Sequence, residues 1–374
     1  MFTSLKVNNF RCFQSFELQE LGRINLLVGA NNSGKTSLLE AIQLLCSGGN
    51  LNSLQELMIP RGEYERNKSA RRRELERELD ISNLFYGYEI ETKTQLKIEA
   101  ANEKTKENLT LSVLESESNF DLSEEFDDNS IELGRLDLFL HFTGQKEEKF
   151  KVPLSTAGGL STDYLRRRRT NGKAGIKTQF VTPLSLNISQ LTSLFDKIVL
   201  TPEENLVLEA LQIIEPKIER IASVGPDKYG ESSTSLGQKG GFMVKFSDKD
   251  RPIPIGNLGD GIWRLLAIIL AIISCKDGVF LVDEIDSGLH HTAMSEMWQL
   301  IWKIAKTLNV QVFATTHSND CWRSLADVIR EEKLTGENGS NEIRIHRIER
   351  SKNLSVVFIE PEIVIASREE IEVR

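Results

Sequence analysis

The segment Gly29-Ala-Asn-Asn-Ser-Gly-Lys-Thr36 constrains this chain more than any other. It fits the pattern GxxxxGK[ST] without a gap, and its flanks have the required texture. Ile24-Asn-Leu-Leu-Val28 ahead of it is an apolar run of the buried-strand type. Thr36 to Leu45 behind it places Leu38, Leu39, Ile42 and Leu45 on one helical face. A strand that turns through glycines into a helix can curl backbone N–H groups around a phosphate, and the helix adds the positive end of its dipole. The expected phosphate-side residues are Asn31, Asn32, Ser33, Gly34, Lys35, Thr36 and Ser37. Lys35 is expected to reach the β- and γ-phosphates of a nucleotide, and the Thr36 hydroxyl to ligate Mg²⁺. The fold class that follows is α/β, of the P-loop NTPase kind.

The second half supplies matching parts. Val279-Phe-Leu-Val-Asp283 reads as a buried strand ending in carboxylates. Asp283 is expected to hold Mg²⁺ and Glu284 to polarise an attacking water. Phosphoryl transfer needs positioning and charge neutralisation more than covalent chemistry, so one metal and one base suffice. Asn257-Leu-Gly-Asp-Gly261 opens the apolar helix Trp263 to Ser274, and its glycines permit a second anion cradle. His317 follows an apolar strand that ends Thr315-Thr316, where it can hydrogen-bond a γ-phosphate.

The 374 residues carry a formal charge of −9 and 40% hydrophobic residues, enough for a large core or two lobes that share one. The acidic balance argues against a surface that coats nucleic acid, though not against a local basic patch. The longest strongly apolar run, Leu265 to Cys275, is about half of a membrane span, so no membrane partner is expected. The four cysteines lie far apart and read as reduced core thiols, which points to the cytoplasm.

Between the motif regions the pattern is mixed. Arg61 to Leu79 is charged and reads as a helix with Arg71 to Arg73 paired to Glu74, Glu76 and Glu78. Asn102 to Glu132 reads as hairpins or a loop, Arg166 to Arg169 as an exposed loop, and Glu203 to Val224 as a long helical pattern that Pro216 kinks or divides. The last thirty residues alternate weakly and read as a terminal β-segment.

Taken together, these motifs resemble the ABC-type ATPase heads of the SMC, RecF and OLD (overcoming lysogenization defect) group. The Walker A match is Gly29 to Thr36, and the signature match is Leu258, Gly259, Asp260 and Gly261. Phe280 to Glu284 matches Walker B, Ser287 to His290 the D-loop, and Thr316 to Ser318 the switch-histidine segment. Asn9-Phe-Arg-Cys-Phe13 is similar to the group's opening segment, so by resemblance Arg11 contacts a phosphate. The resemblance implies an ABC-ATPase core split between 1–50 and 240–374, with 51–239 inserted as a mixed β-lobe and helical arm. Asp260 stands where many ABC proteins have glycine, which favours OLD-like heads over transporters. OLD nucleases continue into a Toprim domain, and none is expected within this chain, so any nuclease is expected to be a separate protein or absent. Gln145, Gln179 and Gln190 remain open as Q-loop candidates.

The resemblance further implies ATP and Mg²⁺ as ligands, hydrolysis to ADP and phosphate, and a homodimer or larger assembly that sandwiches ATP. The expected function is a nucleotide-dependent dimerising switch acting on DNA or a partner effector, in genome maintenance or antiviral defence. Arg71 to Arg73 and Arg166 to Arg169 are the candidate DNA contacts. The alternatives are a nucleotide-dependent scaffold with little turnover and, less favoured, a transporter ATPase subunit.

Overall fold

The computed structural model describes residues 1–66, 77–102, 105–116, 133–144, 146–167, 175–183, 188–224, 241–334 and 342–373. A hairpin of β1 (Phe2–Phe10) and β2 (Phe13–Leu18) leads into β3 (Ile24–Val28), the glycine loop and α1 (Lys35–Cys46). Next come α2 (Asn52–Met58) and the short strands β4 (Tyr64–Arg66) and β5 (Arg77–Leu79). Four longer strands follow: β6 (Gln95–Asn102), β7 (Lys106–Glu115), β8 (Leu133–Thr143) and β9 (Glu147–Ser155). The middle closes with β10 (Leu160–Ser161), α3 (Thr162–Arg167), β11 (Thr178–Val181), α4 (Ile188–Asp196), α5 (Glu204–Ile214) and β12 (Ile218–Val224). The last third holds β13 (Gly241–Phe246), β14 (Ile253–Pro254), α6 (Asp260–Ser274), β15 (Val279–Val282), α7 (His291–Thr307) and β16 (Gln311–Thr315). It ends with α8 (Asn319–Leu334), β17 (Ile343–Arg347), β18 (Val356–Ile359) and α9 (Glu360–Arg368).

The central sheet has the order β11-β15-β16-β3-β17-β18. Its first five strands run parallel, and β18 is antiparallel at the edge. A parallel sheet survives only when both faces are covered, which is why its strands are nearly all apolar. One face, through Ile24, Leu26, Phe280 and Val282, joins a core made with α4 to α9. The other, through Leu27, Leu281 and Phe313, joins a core with α1 and the antiparallel sheet β2-β1-β6-β7-β8-β9. Helix α1 therefore lies between two sheets, and ten of its twelve residues are buried.

Four sequence expectations change. Arg61 to Leu79 is not one helix: Tyr64 pairs with Leu79 across β4 and β5, and Arg71 to Arg73 lie outside the described residues. The helical pattern from Glu203 is divided at Pro216, the helix ending at Ile214, but the part beyond is not helical. Ile218 and Ile221 then turn inward from a strand that pairs with β13, so no long helical arm forms. The C-terminal stretch is β only as far as Ile359, where Pro361 and the Glu362 carboxylate, accepting from the Ile359 N–H at 3.0 Å, start α9. Residues 51–239, expected as an insert, contribute β11 to the central sheet and α4 and α5 to its helical core. The strands β6 to β9, in turn, share their sheet with β1 and β2.

Trp298 on α7 is fully buried, and its indole N–H donates to the Cys321 carbonyl at 3.0 Å, joining α7 to α8. Trp298→Ala is expected to cost about 3–5 kcal/mol, read as a lowered urea midpoint. An unchanged midpoint would contradict this packing.

Candidate nucleotide site

The glycine loop turns because its backbone must pass where side chains cannot. Gly34 has φ 100°, and a Cβ there would lie 2.3 Å from the Phe13 ring. Gly29 has φ 145°, and a Cβ there would meet the Ile348 carbonyl at 2.5 Å. Asn32 takes the left-handed region at φ 60°, which asparagine tolerates better than most residues. Lys35 is buried, and its ammonium folds back over the loop to donate to the Gly29 and Ala30 carbonyls at 2.9 and 2.8 Å. It also lies 3.4 Å from His317 Nδ1.

The parallel strands bring the other groups to the same end of the sheet. Thr36 Oγ1 donates to Asp283 Oδ2 at 3.0 Å, and Thr315 Oγ1 donates to Asp283 Oδ1 at 2.5 Å. The Thr315 hydroxyl also accepts from the Glu284 N–H at 2.8 Å. Glu284 itself has φ 49°, an uncommon conformation for a residue of its size, and its side chain is exposed. Thr316 Oγ1 donates to Asp286 at 2.6 Å and accepts from the Ser318 N–H at 2.9 Å. This fixes the segment that carries His317.

Nucleotide and Mg²⁺ fit these residues. Gly29 and Gly34 let the loop backbone turn where a Cβ would strike Ile348 or Phe13, which leaves its N–H groups free to curl around a phosphate. The Thr36 hydroxyl and Asp283 carboxylate converge as a pair of hard oxygen donors, the kind of partial ligand set that leaves Mg²⁺ its waters and substrate oxygens. Burial, the largest influence, lowers the Lys35 ammonium to about 8, with Asp283 and Glu284 holding it up. Burial also lowers the His317 imidazole, and the Lys35 charge lowers it further, which favours its neutral form.

The segment Leu258 to Gly261 is exposed or half-buried and opens α6, with Gly259 at φ 90° and Asp260 in the first turn. Gly261 packs on the second motif turn: a Cβ there would meet the Gly288 carbonyl at 2.6 Å. One turn on, Arg264 donates to the carbonyls of Thr182 at 2.7 Å and Asp283 at 2.6 Å. Arg264 and Thr315 were not singled out from sequence. The only signal was position, Arg264 one turn past the glycine turn and Thr315 at the last site of an apolar strand.

Arg11, expected on the phosphate side, is turned to other partners. It is buried at the β1–β2 turn, with Nε 2.6 Å from Glu40 and Nη1 2.6 Å from Glu63. Arg61 closes the cluster on Glu40 at 2.5 Å. A buried guanidinium is held where carboxylates repay its lost hydration, and α1 and the Glu63 turn supply them. Among the Q-loop candidates, Gln179 lies within β11 and Gln190 on the exposed start of α4, while Gln145 is outside the described residues. Arg166 is exposed at the end of α3, 3.8 Å from Asp163. Arg167 closes that helix, and Arg168 and Arg169 lie outside the described residues.

This fold and site define a P-loop nucleotide-binding protein of the α/β class. Residues 24–320 match the family described as "AAA domain, putative AbiEii toxin, Type IV TA system", and the chain belongs to it. An ATP/GTP phosphatase of Helicobacter pylori is 23% identical over 346 residues, covering 89% of each chain. The DNA replication and repair protein RecF of Nitrosococcus oceani is 47% identical over 53 residues, 14% of this chain and 15% of that one. Among solved structures, an SMC head bound to the C-winged helix domain of ScpA aligns over 96% of this chain and 97% of its own, at 14% identity and TM-score 0.47.

The pH dependence of nucleotide binding follows from Lys35. Only its charged form attracts phosphate, and deprotonation sets in near pH 8. ATP affinity is expected to hold at neutral pH and to weaken as pH rises past that value. Titration calorimetry at several pH values checks this, and an affinity that is flat through the range would contradict it. Thr315→Val, which removes the hydroxyl that holds both Asp283 and the Glu284 N–H, is expected to cost about 1–3 kcal/mol of transition-state stabilisation. Steady-state phosphate release, compared with that of Thr315→Ser, reads it.

Proposed function

We propose that this chain hydrolyses ATP to ADP and phosphate with Mg²⁺ and serves as a nucleotide-dependent dimerising switch. The observation that carries the reading is the convergence on Asp283. Thr36 from the phosphate loop and Thr315 from the neighbouring strand both donate to its carboxylate, with Lys35 and Glu284 beside them. The H. pylori relative named an ATP/GTP phosphatase supports hydrolysis, and the short RecF likeness supports DNA as the object acted upon. A separate effector protein is the alternative object.

Each residue then has one task. Lys35 places its positive charge against the β- and γ-phosphates, where negative charge shifts as the bond to ADP breaks. Thr36 and Asp283 hold Mg²⁺, which when bound neutralises charge on the phosphate oxygens. Glu284 accepts a hydrogen bond from water and aligns its oxygen with the γ-phosphorus, and the P–O bond to ADP breaks as the new one forms. The neutral His317 imidazole hydrogen-bonds the γ-phosphate and reports its presence. Asn31 to Ser37 line the phosphates. Leu258, Gly259, Asp260 and Gly261 offer the N-terminus of α6 to nucleotide held by a second copy.

The test is the mass of Glu284→Gln in solution, with and without ATP and Mg²⁺. Removing the water-orienting carboxylate is expected to trap an ATP-dependent dimer of about twice the protomer mass, dispersed when ADP replaces ATP. A mass that never responds to nucleotide would overturn the switch.

A further inference from the structure

A cavity lies at the opposite end of α1 from the phosphate loop. Helix α1 runs from Lys35 to Cys46, about 18 Å at the usual rise per residue. The cavity is lined at the Cys46 end and at the entry to the central sheet, where Lys177 precedes β11 and Asp277 precedes β15. Its volume is about 210 Å³. The floor is buried and consists of Cys46, Glu107 and Phe142. The rim is exposed and carries Lys177, Lys276 and Asp277, with Ile176 between rim and floor.

Glu107 makes this more than a gap in packing. It is only 5% exposed, yet among the described residues no hydrogen bond or ion pair reaches its carboxylate. Its oxygens open onto the cavity, where water or a guest is what can pair them. Burial raises its pKa, and the Met1 α-ammonium offsets only part of the effect. The nearby charges are sorted by depth. The Asp277 carboxylate accepts from the Asn309 amide at 3.1 Å, and against its one negative charge the rim sets two ammonium groups, a net positive balance. A negative floor, an apolar wall and a positive rim describe one kind of guest.

We propose that this cavity binds a small zwitterion, with its ammonium group on Glu107 and its anionic end on Lys177 and Lys276. The methylene body lies against Phe142 and Ile176. Such a site destabilises the free protein through Glu107 and recovers that loss when the guest arrives, the balance expected of a binding residue and not of a packing one. It lies apart from the nucleotide residues, so its occupancy does not depend on ATP chemistry.

The experiment uses the full chain and three probes: 5-aminovalerate, valerate and pentylamine. Binding is read by titration calorimetry and by the shift in melting temperature, for wild type, Glu107→Gln and Lys276→Met. Wild type is expected to bind 5-aminovalerate and to be stabilised by it, with valerate and pentylamine each at least about tenfold weaker. Glu107→Gln is expected to lose that binding, to melt higher than wild type without a probe at alkaline pH, and to bind ATP normally. Lys276→Met provides a second reading should Glu107→Gln fold poorly, with 5-aminovalerate affinity reduced and pentylamine affinity unchanged. No binding by wild type, equal binding by Glu107→Gln, or pentylamine as tight as 5-aminovalerate would each overturn the assignment.

Discussion

The Asp283 carboxylate is the junction on which the rest of the head depends. It sits at the end of one strand and receives hydroxyls from two other elements, Thr36 on α1 and Thr315 on β16. A carboxylate held by two donors at 3.0 and 2.5 Å has a fixed position, and a fixed position is what metal-assisted phosphoryl transfer requires. The central sheet supplies this because its five parallel strands end on one side. The loop after β3, the acidic turn after β15 and the threonines at the end of β16 therefore meet without any long connection.

Around that junction the protein holds several groups in states they would not choose alone. Glu284 occupies the left-handed region, Lys35 is an ammonium with much of its hydration removed, and Gly34 presses against the Phe13 ring. Two dense cores over-determine the arrangement. Ile24, Leu26 and Val28 point into one and Leu27 into the other, so β3 cannot shift register without exposing one set. Arg264 adds a second constraint by holding the Thr182 carbonyl after β11 and the Asp283 carbonyl in the acidic turn. The α6 helix is thereby joined to the same turn that carries Asp283 and Glu284.

The parts of the structure legible in the sequence are those where backbone need and side-chain identity coincide. The glycine loop was legible because only glycines fit Gly29 and Gly34, and β15 because a strand buried on both faces is apolar throughout. The opening of α6 at Asp260 was legible for the same reason. What failed was local period in regions whose partners lie far along the chain. Ile218 and Ile221 fit a helical spacing, and only pairing with β13 makes them a strand. Arg11 failed differently. Its neighbours in sequence say nothing of Glu40 and Glu63, which α1 and a later turn bring to it. Glu107 was invisible for a similar reason, since a glutamate in an alternating strand looks solvated until β7 is seen packed beside α1.

The most direct test of the account is the rate of phosphate release from ATP for wild type and Asp283→Asn, each with Mg²⁺ and with a chelator. The substitution keeps the size of the side chain and removes its charge, and its amide offers the Thr36 and Thr315 hydroxyls a single oxygen where the carboxylate offers two. If the Asp283 junction is the metal site, wild-type turnover requires Mg²⁺ and Asp283→Asn loses at least about a hundredfold. Turnover that survives in Asp283→Asn, or in wild type without the divalent ion, would contradict it.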